Sequence, residues 1–197
     1  NFVDHLDANL PEQDVFVQAD TSQQVVRVEG TQDTAALAKM VYATATLTPH
    51  DPFKLGERPL GPFEKGTSLG FTLDQWLAAE GRGTYVVAGD RAAMKFVFEN
   101  LVPNGVYTLW CSRITFPPNP AIVDRPCGAV DGSENMITSD ANGDASFELQ
   151  LRPLEQSTNE TASIVALAYH SDGKTYGSEP GPFGLNSHVQ IFYLLPE

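Results

Sequence analysis

Met94-Lys-Phe-Val-Phe-Glu-Asn-Leu-Val-Pro-Asn-Gly-Val-Tyr-Thr-Leu-Trp-Cys111, a Pro-rich loop to Cys127, and Ser139-Asp-Ala-Asn-Gly-Asp-Ala-Ser-Phe-Glu-Leu149 together decide the fold. Apolar runs of strand length are broken by Pro-Asn-Gly and Ala-Asn-Gly, which is turn chemistry. Ala145–Leu151 alternates strictly, with Phe147, Leu149 and Leu151 on one side and Ser146, Glu148 and Gln150 on the other. That period of two is the mark of a half-buried strand.

Outward from this stretch the same grammar recurs. Val15–Val17, Val25–Val28, Met40–Thr48, Tyr85–Val87, Met94–Phe98, Val106–Phe116, Ile164–His170 and His188–Leu195 all read as strands. In Met40–Thr48 the core face is Val41, Ala43, Ala45 and Leu47. The first dozen residues read as frayed or extended, and Pro49–Leu69 as irregular. Thr72-Leu-Asp-Gln75 has the form of a capping box and opens a short helix, Leu73–Ala79, anchored by Trp76. The expected architecture is all-β: an antiparallel β-sandwich of about ten strands with one short helix. Residues 1–197 form a single domain, with the strands of 13–30 peripheral to it.

Composition narrows the function classes. The net charge of −13 opposes phosphate backbones and anionic lipid surfaces, which argues against a nucleic-acid partner. No apolar run reaches the ~18 residues of a membrane span. The only two cysteines lie 16 positions apart with no Cys-x-x-Cys, which points to a Cys111–Cys127 disulfide. The alternative is two buried free thiols. A bridge places the protein outside a reducing cytosol, in an extracellular, periplasmic or cell-surface setting. The chain begins at Asn1, consistent with a removed leader or a trimmed terminus.

The block Asn100–Trp110, the cysteine loop, the Asp140–Asp144 turn and the closing Ser187–Tyr193 strand resemble uncharacterised exported bacterial β-sandwich proteins with immunoglobulin-like strand grammar. The likeness covers the C-terminal half. It implies a secreted sandwich and transfers no activity to any residue. Pro49–Leu69 and the helix after it depart from that pattern.

No Gly-x-Ser-x-Gly, His-Glu-x-x-His, Gly-x-Gly-x-x-Gly or P-loop motif occurs. Three ligand readings compete with plainer ones. If the last two strands pair with Ser171 opposite Ser187, then His170 faces His188. The two imidazoles could then share Zn or Cu(II), with Asp172 or His50 as further donors. The plainer reading is a polar hairpin end without metal. Asp140, Asn142 and Asp144 place oxygens at positions 1, 3 and 5 of a Ca²⁺ loop, but Ala145 and Leu151 stand where an EF-hand needs Gly and Glu. A bare hairpin turn is the simpler account. Tyr176 and Phe183, on a Gly/Pro frame, offer aromatic faces to a glycan or pack onto the sheet. Asn159-Glu-Thr161 matches the glycosylation sequon.

The sequence therefore leads to a non-enzymatic extracellular structural or interaction protein of a surface or polymeric assembly. Its partner would be another protein or a second copy, with the strands at 15–28 added to a neighbour's sheet edge. A carbohydrate- or metal-binding module is the alternative, and a His-metal enzyme ranks below both.

Overall fold

The computed structural model describes the backbone of 2–7 and residues 15–19, 23–28, 34–48 and 60–195. One sheet runs in the order β1 (Phe2–Asp7), β6 (Glu80–Ala88), β7 (Arg91–Glu99), β11 (Ala145–Leu151). The second runs β10 (Met136–Thr138), β8 (Val106–Thr115), β12 (Thr161–His170), β13 (Ser187–Leu194), with β9 (Ala121–Val123) also paired to β8. Four strands, β2 (Phe16–Gln18), β3 (Gln24–Arg27), β5 (Phe63–Thr72) and β4 (Met40–Thr44), close a small barrel. Every strand pair is antiparallel. The helices are α1 (Thr34–Leu37) and α2 (Leu73–Leu77). The fold is thus all-β and sandwich-like, with thirteen strands and two short helices among the described residues.

Alternation builds the sandwich. In β7, Ala92, Met94, Phe96 and Phe98 are buried while Ala93, Lys95 and Val97 are exposed. β11 pairs with it and buries Phe147. From the other sheet, Tyr193 meets Phe96 with ring centroids 4.7 Å apart. Between β7 and β8, Asn104 takes a left-handed φ of 56°, as a turn Asn tolerates. Gly143 closes the turn before β11 at φ 88°, where any Cβ would collide with Leu101 O.

The helix forms as its sequence demands. Thr72 Oγ1 accepts from Gln75 N, and Gln75 Oε1 accepts from Thr72 N at 2.9 Å, completing the capping box. Trp76 is fully buried, stacked 5.9 Å from Phe71 and edge-on to Tyr169 at 6.2 Å. Gln190 Nε2 donates to Trp76 O at 3.0 Å, and Tyr107 OH donates to Gln190 Oε1 at 3.0 Å. These bonds satisfy a buried amide between α2 and the second sheet.

Several expectations are corrected. Residues 2–7, read as frayed or extended, are extended, and they pair with β6 from Phe2↔Val87 to Asp7↔Arg82. Phe63–Thr72, assigned largely to an irregular segment, is a ten-residue strand. Its pairing with β4 shifts register twice, so Gly66 and Gly70 fall among bulges that erase the period. In Met40–Thr48 only Val41 and Ala43 of the expected core face are buried; β4 ends at Thr44, and Ala45 and Leu47 are exposed. The strands of 15–28 find their pairing partners within the chain. β2 pairs with β3 and β4, and β3 pairs with β2 and β5, so both edges of each are occupied. Val15, Val17, Val28 and Val41 belong to the same buried cluster as Phe96, Leu109 and Leu167, so barrel and sandwich share one core.

Candidate functional site

The β12–β13 loop, residues 171–186, carries Asp172, Tyr176 and Phe183, with His170 and His188 at its two ends. Its two ends do not align as expected. The register is Tyr169↔His188 and His170↔Ser187, with an irregularity between Leu167 and Ala168. Directly opposed residues share a sheet face and successive residues alternate. His188 therefore lies on the Tyr169 face, inside the sandwich, and its ring is 6.3 Å from Tyr169. His170 lies on the other face. The two imidazoles cannot converge on one ion, and among the described residues no cluster of three His, Cys, Asp or Glu could hold a metal. His50 lies outside the described residues.

His170 has a different role. It is 1% exposed, with Nε2 2.7 Å from Thr108 Oγ1, which in turn accepts from Trp110 Nε1 at 2.7 Å. An indole N–H only donates. The Thr108 hydroxyl thus links the indole N–H to the imidazole, and which of the two partners donates in the Thr108–His170 bond is set by the ring's tautomer. Burial lowers the His170 pKa to about 4; Asp172 pulls it up and His188 pushes it down. His170 Nδ1 and Ser187 Oγ, cross-strand partners, are both buried without a hydrogen-bond partner.

Asp172 is held by its own loop. It accepts from Lys174 N at 3.2 Å, Tyr176 OH at 2.7 Å and Asn186 Nδ2 at 3.4 Å. Asn186 Nδ2 also donates to Tyr176 OH at 3.1 Å. Tyr176 is half-buried, its ring 5.7 Å from that of His170. Burial raises its pKa, as does its bond to Asp172. Phe183 is half-buried too, and its carbonyl accepts from Thr48 N at 3.0 Å. Both rings are half-buried; the Tyr176 hydroxyl ties the loop through Asp172 and Asn186, and Phe183 ties it through its backbone carbonyl.

The remaining candidates sit apart. Asp140 Oδ1 accepts from Asn142 N at 2.8 Å and Asp144 N at 2.9 Å. These bonds hold its pKa below the ordinary value and cap the turn. Asn159 is exposed in the turn before β12, where Thr161 Oγ1 accepts from Arg113 Nη2 at 2.7 Å. Cys111 and Cys127 form the expected disulfide. It ties β8 to the segment around Pro126, with Cys111 N donating to Arg125 O and Cys127 N donating to Leu109 O.

What the loop does build is a cleft of about 540 Å³ against the barrel. One wall is Ala43–Ala45 of β4 and its continuation, with Gly66–Leu69 of β5. The other is Ser171, Asp172, Leu185 and Asn186. Its size falls within the ~300–1,000 Å³ of small-molecule pockets. The walls are bonded to each other at the base: Thr44 N donates to Gly184 O at 2.8 Å, alongside the Thr48–Phe183 bond. Gly184 permits this approach: a Cβ there would stand 2.5 Å from Thr48 Oγ1. Within the barrel wall, a Cβ on Gly66 would stand 2.5 Å from Thr44 O.

Comparison with protein-family models, curated proteins and solved structures finds no match. The reading of this cleft therefore rests on its own chemistry. Of its residues the sequence pointed only to Asp172. Thr44, Thr67, Ser68, Ser171 and Asn186 are small and polar and carry no motif. The closest signals are the turn-forming runs Gly66-Thr-Ser68 and Gly184-Leu-Asn186.

Proposed function

We propose that the protein is a non-enzymatic extracellular binding module that recognises its partner molecule through the cleft between the barrel and the β12–β13 loop. The observation that carries this reading is the cleft's preformed frame. Its walls come from two parts of the fold and are locked together by backbone bonds from Thr44 and Thr48. Binding to a framework that is already ordered avoids the entropic cost of forming it. The polar groups on the loop wall bond to one another, Asp172 to Tyr176 and Asn186, as a positioning network does. The Cys111–Cys127 disulfide supports an oxidising, extracellular or periplasmic location. No helix among the described residues is long and apolar enough to cross a membrane.

Ser171→Trp fills the cleft from its half-exposed wall. In thermal-shift screening against neutral sugars, amino acids and short peptides, compounds that stabilise the wild type are expected to leave this variant unaffected. Equal stabilisation of both proteins would place recognition elsewhere.

A further inference from the structure

We infer that the cleft takes a neutral saccharide, with two neighbouring ring hydroxyls donating to Asp172 and Asn186; this rests on the cleft being the functional site. The argument begins with charge. Among the described residues the lining holds one ionisable side chain, Asp172, and no cation. Lys65, which flanks the wall, is turned away: its Nζ donates to Gln18 Oε1 at 3.4 Å and lies 5.1 Å from the centre of the Tyr42 ring. An anionic ligand entering a chain of net charge −13 finds no counter-charge among the described lining residues.

A cation fares little better. The Asp172 carboxylate already takes three donors, from Lys174 N, Tyr176 OH and Asn186 Nδ2. An ionised carboxylate offers about four lone-pair sites. What remains is an oriented acceptor, suited to a hydroxyl group, without a second acid among the described lining residues to help bind an ion.

Asn186 supplies the companion acceptor. Its Nδ2 is committed to Asp172 and Tyr176, which leaves the amide oxygen without a partner beside that carboxylate. Two adjacent acceptors match two adjacent hydroxyl donors. Across the cleft, Thr67 and Ser68 line the wall, each with a hydroxyl, a group that can donate and accept; Ser68 Oγ also accepts from Gly70 N at 3.3 Å. Leu69 and Leu185 give apolar surface to the C–H faces of a sugar ring. A ligand studded with hydroxyls and uncharged satisfies every part of this lining. A peptide would leave the acceptor pair with few donors, and a hydrocarbon would strand all of it at a desolvation cost.

The test is calorimetric titration of the full chain with cellobiose, maltose and N,N′-diacetylchitobiose, with glucuronate and putrescine as charged comparators. At least one neutral disaccharide is expected to bind with a Kd of about 1 mM or tighter. Asn186→Ala should weaken it at least ~10-fold, the loss of a hydrogen bond to a polar substrate group, and Ser171→Trp should abolish it. Asn186→Asp keeps the side chain's shape and serves where the alanine variant does not fold; it removes the amide donors to Asp172 and Tyr176, and weakened binding is again expected. Binding of putrescine or glucuronate alone, blocked by Ser171→Trp, would overturn the saccharide assignment and leave the cleft as the site. Sugar binding indifferent to all three substitutions would overturn both assignments. So would the absence of binding by every compound.

Discussion

Thr108 Oγ1 lies 2.7 Å from His170 Nε2, and both side chains are buried beneath the loop that walls the cleft. The bond ties a central strand of the second sheet to the last residue of β12. Burial keeps His170 neutral. With a folded pKa of about 4 against about 6.5 in the unfolded chain, the unfolded state takes up a proton first as pH falls. The histidine's contribution is complete above about pH 6.5 and is lost as pH falls through 4. The full swing is roughly 3 kcal/mol. Urea unfolding between pH 7 and pH 4 should show this loss, and His170→Gln should flatten it. Parallel pH profiles for the two proteins would show that His170 does not titrate in this way.

The capping box predicts a second stability effect. Thr72→Ala removes the acceptor for Gln75 N and unpins the turn that delivers Trp76 to the core. A loss of about 0.5–2 kcal/mol is expected from denaturant midpoints. An unchanged midpoint would mean the cap carries no energy.

The capping box of Thr72 to Gln75 and the alternation in β11 were legible because each is written in neighbouring residues, and the disulfide because the sequence holds only two cysteines. What escaped depends on contacts distant in sequence or on broken period. β5 carries Gly66 and Gly70 at shifted register, so it reads as loop. The His170–His188 pairing failed by one position through the irregularity after Leu167, and one position exchanges sheet faces. The cleft was invisible for a further reason. Its walls meet only when 43–45, 66–69 and 171–186 come together, and their residues are small, without titratable signature apart from Asp172.

The disulfide closes a loop across a 16-residue separation. On chain-entropy grounds its reduction, or Cys111→Ala with Cys127→Ala, should cost about 3 kcal/mol. Mass spectrometry of the unreduced, alkylated protein should find no free thiol. Two alkylated cysteines would remove the bridge and weaken the extracellular assignment with it.

Gly184 controls the joint between barrel and loop. At φ 75°, with Thr48 Oγ1 2.5 Å and Thr48 Cγ2 2.6 Å from an added Cβ, it admits no side chain without movement. Gly184→Ala should lower stability by at least ~1 kcal/mol through backbone strain alone. It should also raise amide exchange at Thr44 and Thr48, whose N–H groups donate across the joint. Unchanged protection at both would show that the walls are held by other contacts.

The cleft itself is tested most directly by amide-resolved NMR of the full chain titrated with the neutral disaccharides. Shifts should concentrate on Ser68, Leu69, Ser171, Asp172 and Asn186, saturate with one affinity and vanish in Ser171→Trp. Saturable shifts centred elsewhere, or none at any of these five amides, would contradict the assignment of the cleft as the binding site.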